Sequence, residues 1–216
     1  MSQDISARCK AVAHIGTGPI SDSMELLGLP RSVIVDWKFI TKDPTQAIVG
    51  PAYTLRQALK PPSVSHEENV TRQRDASSKL AQPGDVIVID VNGRTDLCTW
   101  GENQALAAKS REIAGLVVHG AVRDSEWIRR TGFPVLCRGF SPVTSRWDLM
   151  TVAMNEPITM HGVQINPGDV IYGDADGVIV IPREHVDAVF AKAQEISAGE
   201  EQRRAQLYGD LHSHAG

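Results

Sequence analysis

The stretch GLVVHGAVRDSEW, residues 115–127, holds the residue types best suited to chemistry. An apolar run, Leu116-Val117-Val118, leads through His119-Gly120-Ala121-Val122 to Arg123 and Asp124 side by side. A short buried strand that delivers a cation and an anion at its C-terminal end builds a polar site on an apolar scaffold. Arg123 has the planar fork that grips a carboxylate, and Asp124 is a hard-oxygen ligand for a divalent cation, directly or through water. The competing reading is an Arg–Asp surface ion pair, which contributes little. Gly101-Glu102-Asn103-Gln104-Ala105 is the second such stretch. It lies where a loop enters a helix, and the free N–H groups of a helix N-terminus bind carboxylates or phosphates. Taken alone, Glu102 is a first-turn acid favoured by the helix dipole. The helix from 102 to 113, however, links two strands whose C-terminal ends should be neighbours. Glu102, Asp124, Arg123 and backbone donors at 103–105 are therefore expected to converge on one cleft.

Other polar residues read as structural. Asp174 and Asp176 in GDADG lack the remaining ligands of a calcium loop and suit a turn. Asp90 ends a strand as a cap or a supporting group. His119 reads as a satisfied core residue, and His14, His66, His161 and His185 have no partner spacing. Cys9, Cys98 and Cys137 are odd in number and without metal-ligand spacing, as expected of buried, reduced thiols. No nucleophile elbow, phosphate-binding loop or dinucleotide glycine fingerprint is present.

The elements that must position these residues follow from pattern and punctuation. A helix is expected from about residue 20, capped by Ser21 or Asp22 and closed by Pro30. Residues 46–57 read as a strand interrupted at Gly50-Pro51. The polar segment 60–80 reads as a loop, with or without a surface helix. PGDVIVIDVNG (83–93) is a turn and a β-branched strand, followed by the helix from Glu102 and the strand 115–122. A helix from Asp124 to Arg130, ending at Gly132, and a strand from Phe133 to Arg138 come next. A second Pro-Gly-Asp-Val-Ile turn at 167–171 echoes 83–87 and leads into strands joined by a tight Asp-Gly turn. A helix from about 183 to 207 closes the chain before a polar tail with His212 and His214. This is a mixed α/β pattern in one domain spanning 1–216. A formal charge of −4 and a pI near 6.0 argue against nucleic acid as partner. The lack of a roughly 20-residue apolar run or an apolar leader points to a cytoplasmic protein with no membrane contact.

Five stretches together resemble the RraA-like family: IVGPAYTLR, PGDVIVIDVNG, WGENQALAAKSREIAGLVVHGAVRD, GFPVLCRG and PGDVIYGDADGVIVIP. That family includes class II 4-hydroxy-4-methyl-2-oxoglutarate / 4-carboxy-4-hydroxy-2-oxoadipate aldolases. The resemblance implies an αββα sandwich like the phosphohistidine swivelling domain, in a homotrimer or hexamer with sites between subunits, and a Mg2+ or Mn2+ cofactor. It implies that Arg123 binds and polarises a 2-oxo acid, that Asp124 holds the metal, and that Gly101 to Ala105 receive the substrate carboxylate. Glu102 is a further candidate metal ligand, and Glu200 or Glu201 of a neighbouring subunit would complete the metal surroundings. The implied activity is retro-aldol release of pyruvate from a 4-hydroxy-2-oxo acid, with oxaloacetate decarboxylation as a companion reaction. A regulator of ribonuclease E, or a metal lyase or hydratase for another hydroxy or sugar acid, are the alternatives. One departure stands out. Where the family has an acid three positions after Asp124, this chain has Trp127, with Glu126 one residue early and about 100° away on a helix.

Overall fold

The computed structural model describes residues 2–65 and 72–213. Helices α1 (Ser2–Val12) and α2 (Thr17–Leu26) precede the strands β1 (Val33–Ile34), β2 (Lys38–Ile40) and β3 (Ile48–Leu59). One helical turn, α3 (Gln73–Asp75), runs into a π-helical turn at Ala76–Leu80 and then β4 (Val86–Asp90). The centre of the chain is β5 (Cys98–Trp100), α4 (Glu102–Ser110), β6 (Gly115–Val122), α5 (Ser125–Thr131) and β7 (Val135–Phe140). A 3-10 turn at Ser145–Trp147 leads to β8 (Leu149–Met154), the hairpin β9 (Ile158–Met160) and β10 (Val163–Ile165), then β11 (Val170–Gly173) and β12 (Val178–Ile181). A 3-10 turn at Arg183–His185 opens α6 (Val186–Ser213). The closing helix thus runs past the expected end at 207. His66 and His214 lie outside the described residues.

Ten strands form one mixed sheet whose main path is β1-β12-β11-β3-β4-β6-β7-β2. β3, β4, β6 and β7 are parallel, while β11 joins the other edge of β3 antiparallel. All eight residues of β6 are buried, as a parallel strand covered on both faces requires. The sheet curls, so three cores stack in sequence. One lies between α1, α2, α6 and the β11/β12 half, and one between the two sheet halves, around Ile48, Val88 and Ile171. The third lies between β4/β6/β7 and α4/α5, around Trp100, Ile128 and Phe133. The layer order is α, β, β, α, with both β layers cut from one continuous sheet.

β3 corrects the expectation of a break at Gly50-Pro51. The strand is continuous because Pro51, which has no N–H to donate, sits where the partner changes. Val170 pairs with Pro51 on one side, and the parallel ladder to β4 begins at Ala52. Gly50 is required for a close approach, since a Cβ there would lie 2.2 Å from the Gly84 carbonyl oxygen. The two Pro-Gly-Asp turns are one local solution used twice. Asp85 accepts from the Gln82 N–H and Asp169 from the Asn166 N–H, and the strands they open flank β3.

α2 is a second correction. It begins at Thr17, so Ser21 and Asp22 lie inside it rather than capping it. Its first N–H is taken by Asp174, which accepts from the Thr17 backbone at 2.8 Å and from Oγ1 at 2.9 Å. The same carboxylate accepts from the Asp176 N–H, confirming the turn role of the GDADG segment.

Candidate functional site

β5 and β6 are parallel neighbours joined by α4, so their C-terminal ends open on the same edge. The Arg123 N–H donates to the Trp100 carbonyl at 2.9 Å, which fixes the two strand ends against each other. Gly101 follows Trp100, and a Cβ there would meet Asp124 Oδ2 at 2.8 Å and Arg123 Nε at 3.1 Å. Only glycine allows the Arg-Asp pair to lie over the start of α4. Asp124 holds φ +59°, a left-handed conformation that aspartate tolerates and that concentrates at functional sites. This bend turns its carboxylate back, with Oδ2 3.3 Å from the Glu102 N–H and 3.3 Å from Arg123 Nε.

The pair borders a polar cleft of about 800 Å³ that is also lined by Gly101, Glu102, Asn103 and Gln104. The structure therefore brings together most of the residues that sequence patterns single out. Ala105 is the exception, being fully buried with its N–H turned onto the Gly101 carbonyl at 3.1 Å. Gln104 makes the same turn at 3.2 Å, and the Asn103 amide has no protein acceptor among the described residues. Glu200 and Glu201 lie on the exposed part of α6 and do not line this cleft within one chain. Nor does Trp127: it is 54% exposed, and the Arg130 guanidinium stacks 4.5 Å over its ring. Glu126 beside it faces Arg129.

Asp124 and Glu102 are hard carboxylate donors at a cleft open to water. That suits Mg2+ or Mn2+, which keep several waters and take one or two carboxylates. Among the described residues no cluster of three or more His, Cys, Asp or Glu side chains forms a cation cage. Cys98 also lines the cleft; burial raises its thiol pKa, against the lowering effect of Arg123, which disfavours the thiolate. All three cysteines are buried and free, as the sequence suggests.

The sequence reading missed the rest of the cleft lining. Arg72, Gln73, Arg74 and Asp75 come from α3 and its approach, and Thr144 to Trp147 from the 3-10 turn before β8. Their signal was arginine density in two polar loops, visible only as solvated surface in a linear reading. His119 is a satisfied core histidine, its Nδ1 2.8 Å from Asp90 Oδ1, while Asp90 also accepts from the Asn92 N–H. His161 has a partner that spacing does not reveal, since its ring centre lies 4.5 Å from that of His119.

The family model described as "RraA-like: Aldolase/RraA" matches residues 17–180. A protein of Halalkalibacterium halodurans named "Putative 4-hydroxy-4-methyl-2-oxoglutarate aldolase" is 38% identical over 160 residues, covering 74% of this chain and 71% of that protein. Protein DlpA of Legionella pneumophila is 34% identical over 194 residues, 90% of this chain, but the match spans only 30% of its length. Among solved structures, Streptomyces coelicolor RraAS2, described as an unusual member of the RNase ES inhibitor RraA protein family, superposes with a TM-score of 0.74. It is 25% identical, with 93% of this chain and 96% of that one covered.

Proposed function

Because the chain belongs to the RraA-like family, we propose that it is a divalent-metal-dependent carbon–carbon lyase that releases pyruvate from a 4-hydroxy-2-oxo acid. The observation that supports this best is the joint placement of Arg123, Asp124 and the start of α4 on one open cleft. Likeness to the aldolase homologue points the same way.

The Asn103 amide, at the positive end of α4, receives the substrate's carboxylate. Arg123 directs its guanidinium to the 2-oxo oxygen, where negative charge develops as the C3–C4 bond breaks. The 4-hydroxyl gives its proton to water in the open cleft as C4 becomes a carbonyl, and C3 of the pyruvate enolate takes a proton back from water. The backbone contact to Trp100 fixes the main chain from which Arg123 reaches the cleft, and Asp124 lies 3.3 Å from its Nε. Asp124 and Glu102 would hold Mg2+ or Mn2+, which supplies Lewis-acid stabilisation of the developing enolate. Decarboxylation of oxaloacetate develops the same charge at the same place, so one site serves both reactions. A neighbouring copy in a homotrimer or hexamer would bring Glu200 or Glu201 to the cleft, which fits their exposure on α6. A second reading, binding to a ribonuclease, draws on the likeness to RraAS2 and leaves the cleft without a role.

The test is pyruvate release from 4-hydroxy-4-methyl-2-oxoglutarate and from oxaloacetate, with Mg2+ and after chelation. Chelation should abolish it, and Arg123→Ala or Asp124→Ala should each lower kcat/KM by roughly 10²–10³-fold. Activity that survives chelation and both substitutions would overturn the mechanism.

A further inference from the structure

The contact with Asp90 satisfies one ring nitrogen of His119 and leaves the other free. Asp90 and His119 are direct partners on the parallel strands β4 and β6, and both are buried, His119 to 6% exposure. Asp90 Oδ1 lies 2.8 Å from Nδ1 and is itself fixed by the Asn92 N–H at 2.8 Å. A carboxylate in that place accepts from Nδ1–H, which leaves the lone pair of the ring on Nε2. Among the described residues Nε2 has no protein partner, yet it is not sealed from solvent. It lies beside Gly93, where a Cβ would stand 3.1 Å away, so the missing side chain keeps that nitrogen uncovered.

A second imidazole is held beside the first. His161 and Gly162 form the two-residue turn between β9 and β10, with φ of +46° and +79°, as such hairpins require. The ring centres of His161 and His119 are 4.5 Å apart and their planes 56° apart, so the rings do not stack. With metal–nitrogen bonds of about 2.0–2.1 Å, two imidazoles on one ion have centres about 4.5 Å apart at a cis angle of about 90°. At the tetrahedral angle the separation is about 5.2 Å. The observed spacing thus fits an ion of tetragonal geometry. Asp36 and Asp90 set two negative charges near His161 against the charge of Arg138, which suits a dication. This place is separate from the Arg123 cleft. Val117 packs between the sheet halves and Val118 under α4 and α5, so His119, alternating with Val118, points away from α4. Neither Asp90, His119 nor His161 lines that cleft.

We propose that His119 and His161 form a nitrogen-lined metal site for Cu2+ or Ni2+, with the two imidazoles in cis positions, water in the others, and Asp90 orienting His119 without touching the ion. No third His, Cys, Asp or Glu side chain joins them among the described residues, so two nitrogens set the affinity. Imidazole selects such borderline ions, whereas the carboxylates of the cleft suit Mg2+ or Mn2+. A bound ion ties the β9–β10 hairpin to the parallel sheet. The proposal is independent of the lyase reading.

Cu2+ is the probe, added to chelator-treated protein and followed by calorimetry and electron paramagnetic resonance. Every protein compared carries His212→Gln and His214→Gln, which removes the competing pair of imidazoles in the tail. One Cu2+ should bind with a Kd below about 100 μM and give a tetragonal spectrum split by two nitrogens. His161→Gln, an exposed change, should weaken binding about tenfold or more and leave one nitrogen in the spectrum. Asp90→Asn should weaken it about 10–100-fold while circular dichroism shows the fold retained. Asp124→Ala, which removes a carboxylate from the cleft, should leave the two-nitrogen signal unchanged, and millimolar Mg2+ should not displace the ion. A Kd above about 100 μM, or a two-nitrogen spectrum that survives in His161→Gln, would overturn the proposal.

Discussion

At the scale of residues, the site depends on an absent side chain as much as on those present. Gly101 is extended, with φ −153°, so alanine can adopt its backbone conformation without strain. What alanine lacks is space, because its Cβ would press on Asp124 Oδ2 and Arg123 Nε. Gly101→Ala should therefore keep its melting temperature within a few degrees and lose about 10²-fold in kcat/KM, since small displacements of catalytic groups cost on that order. Thermal unfolding and pyruvate-release kinetics on the same preparation check both halves. Arg123, Asp124, Glu102 and Asn103 were legible in the sequence because strand-end and helix-start chemistry is local. Arg74 and Gln73 were not, because nothing local distinguishes a cleft wall from a solvated loop. Trp127 invited attention as a departure from the family pattern, but the rotation of α5 carries it away from the cleft to Arg130.

At the scale of elements, the hairpin of β9 and β10 sets His161 over the buried His119–Asp90 pair. The His161 pKa is lowered, first by desolvation and then by His119 and Arg138, with Asp36 and Asp90 opposing. A histidine with a lowered folded pKa resists protonation in the native state. Its contribution to stability is complete above the ordinary histidine pKa of about 6.5 and is lost as pH falls below it. His161 is exposed, so solvent screens the effect and it is small: the melting temperature should drop slightly between pH 7 and pH 5, and His161→Gln should lessen that drop. An unchanged slope in the variant would remove this role. The strands and most helices were legible from periodicity and from turn residues at 83–85 and 167–169. The start of α2 and the passage of β3 through Gly50-Pro51 were not. The first depends on a carboxylate 157 residues away, and the second on a change of strand partner.

At the scale of the whole molecule, α6 is the unbalanced part. Val186, Val189, Phe190 and Ala193 pack into the outer core, whereas residues 198–208 are exposed all round. A long polar helix without tertiary cover gains stability mainly by packing on something else. In the proposed homotrimer or hexamer that cover is a neighbouring copy. Sedimentation should show the oligomer for the full chain, and removal of residues 198–216 should shift the mass toward monomer and lower pyruvate release together. A truncated chain that keeps both would reject a role for Glu200 and Glu201 at a neighbour's cleft. Among the described residues no helix is long and apolar enough to cross a membrane.

The sequence alone determined the α/β class, the family and the Arg123-Asp124 end of the cleft. These rest on hydrophobic period, turn chemistry and residues a few positions apart, all of which are written along the chain. Only the tertiary structure decided that one sheet curls to supply both β layers, that Asp174 caps α2, and that buried Gln57 links Gln73 of α3 to Thr99 of β5 beside the cleft. Those depend on contacts between residues far apart in sequence, whose energies exist only once the layers have packed. Arg123 and Asp124 could be read from their neighbours in the chain; what they face could be read only from their neighbours in space.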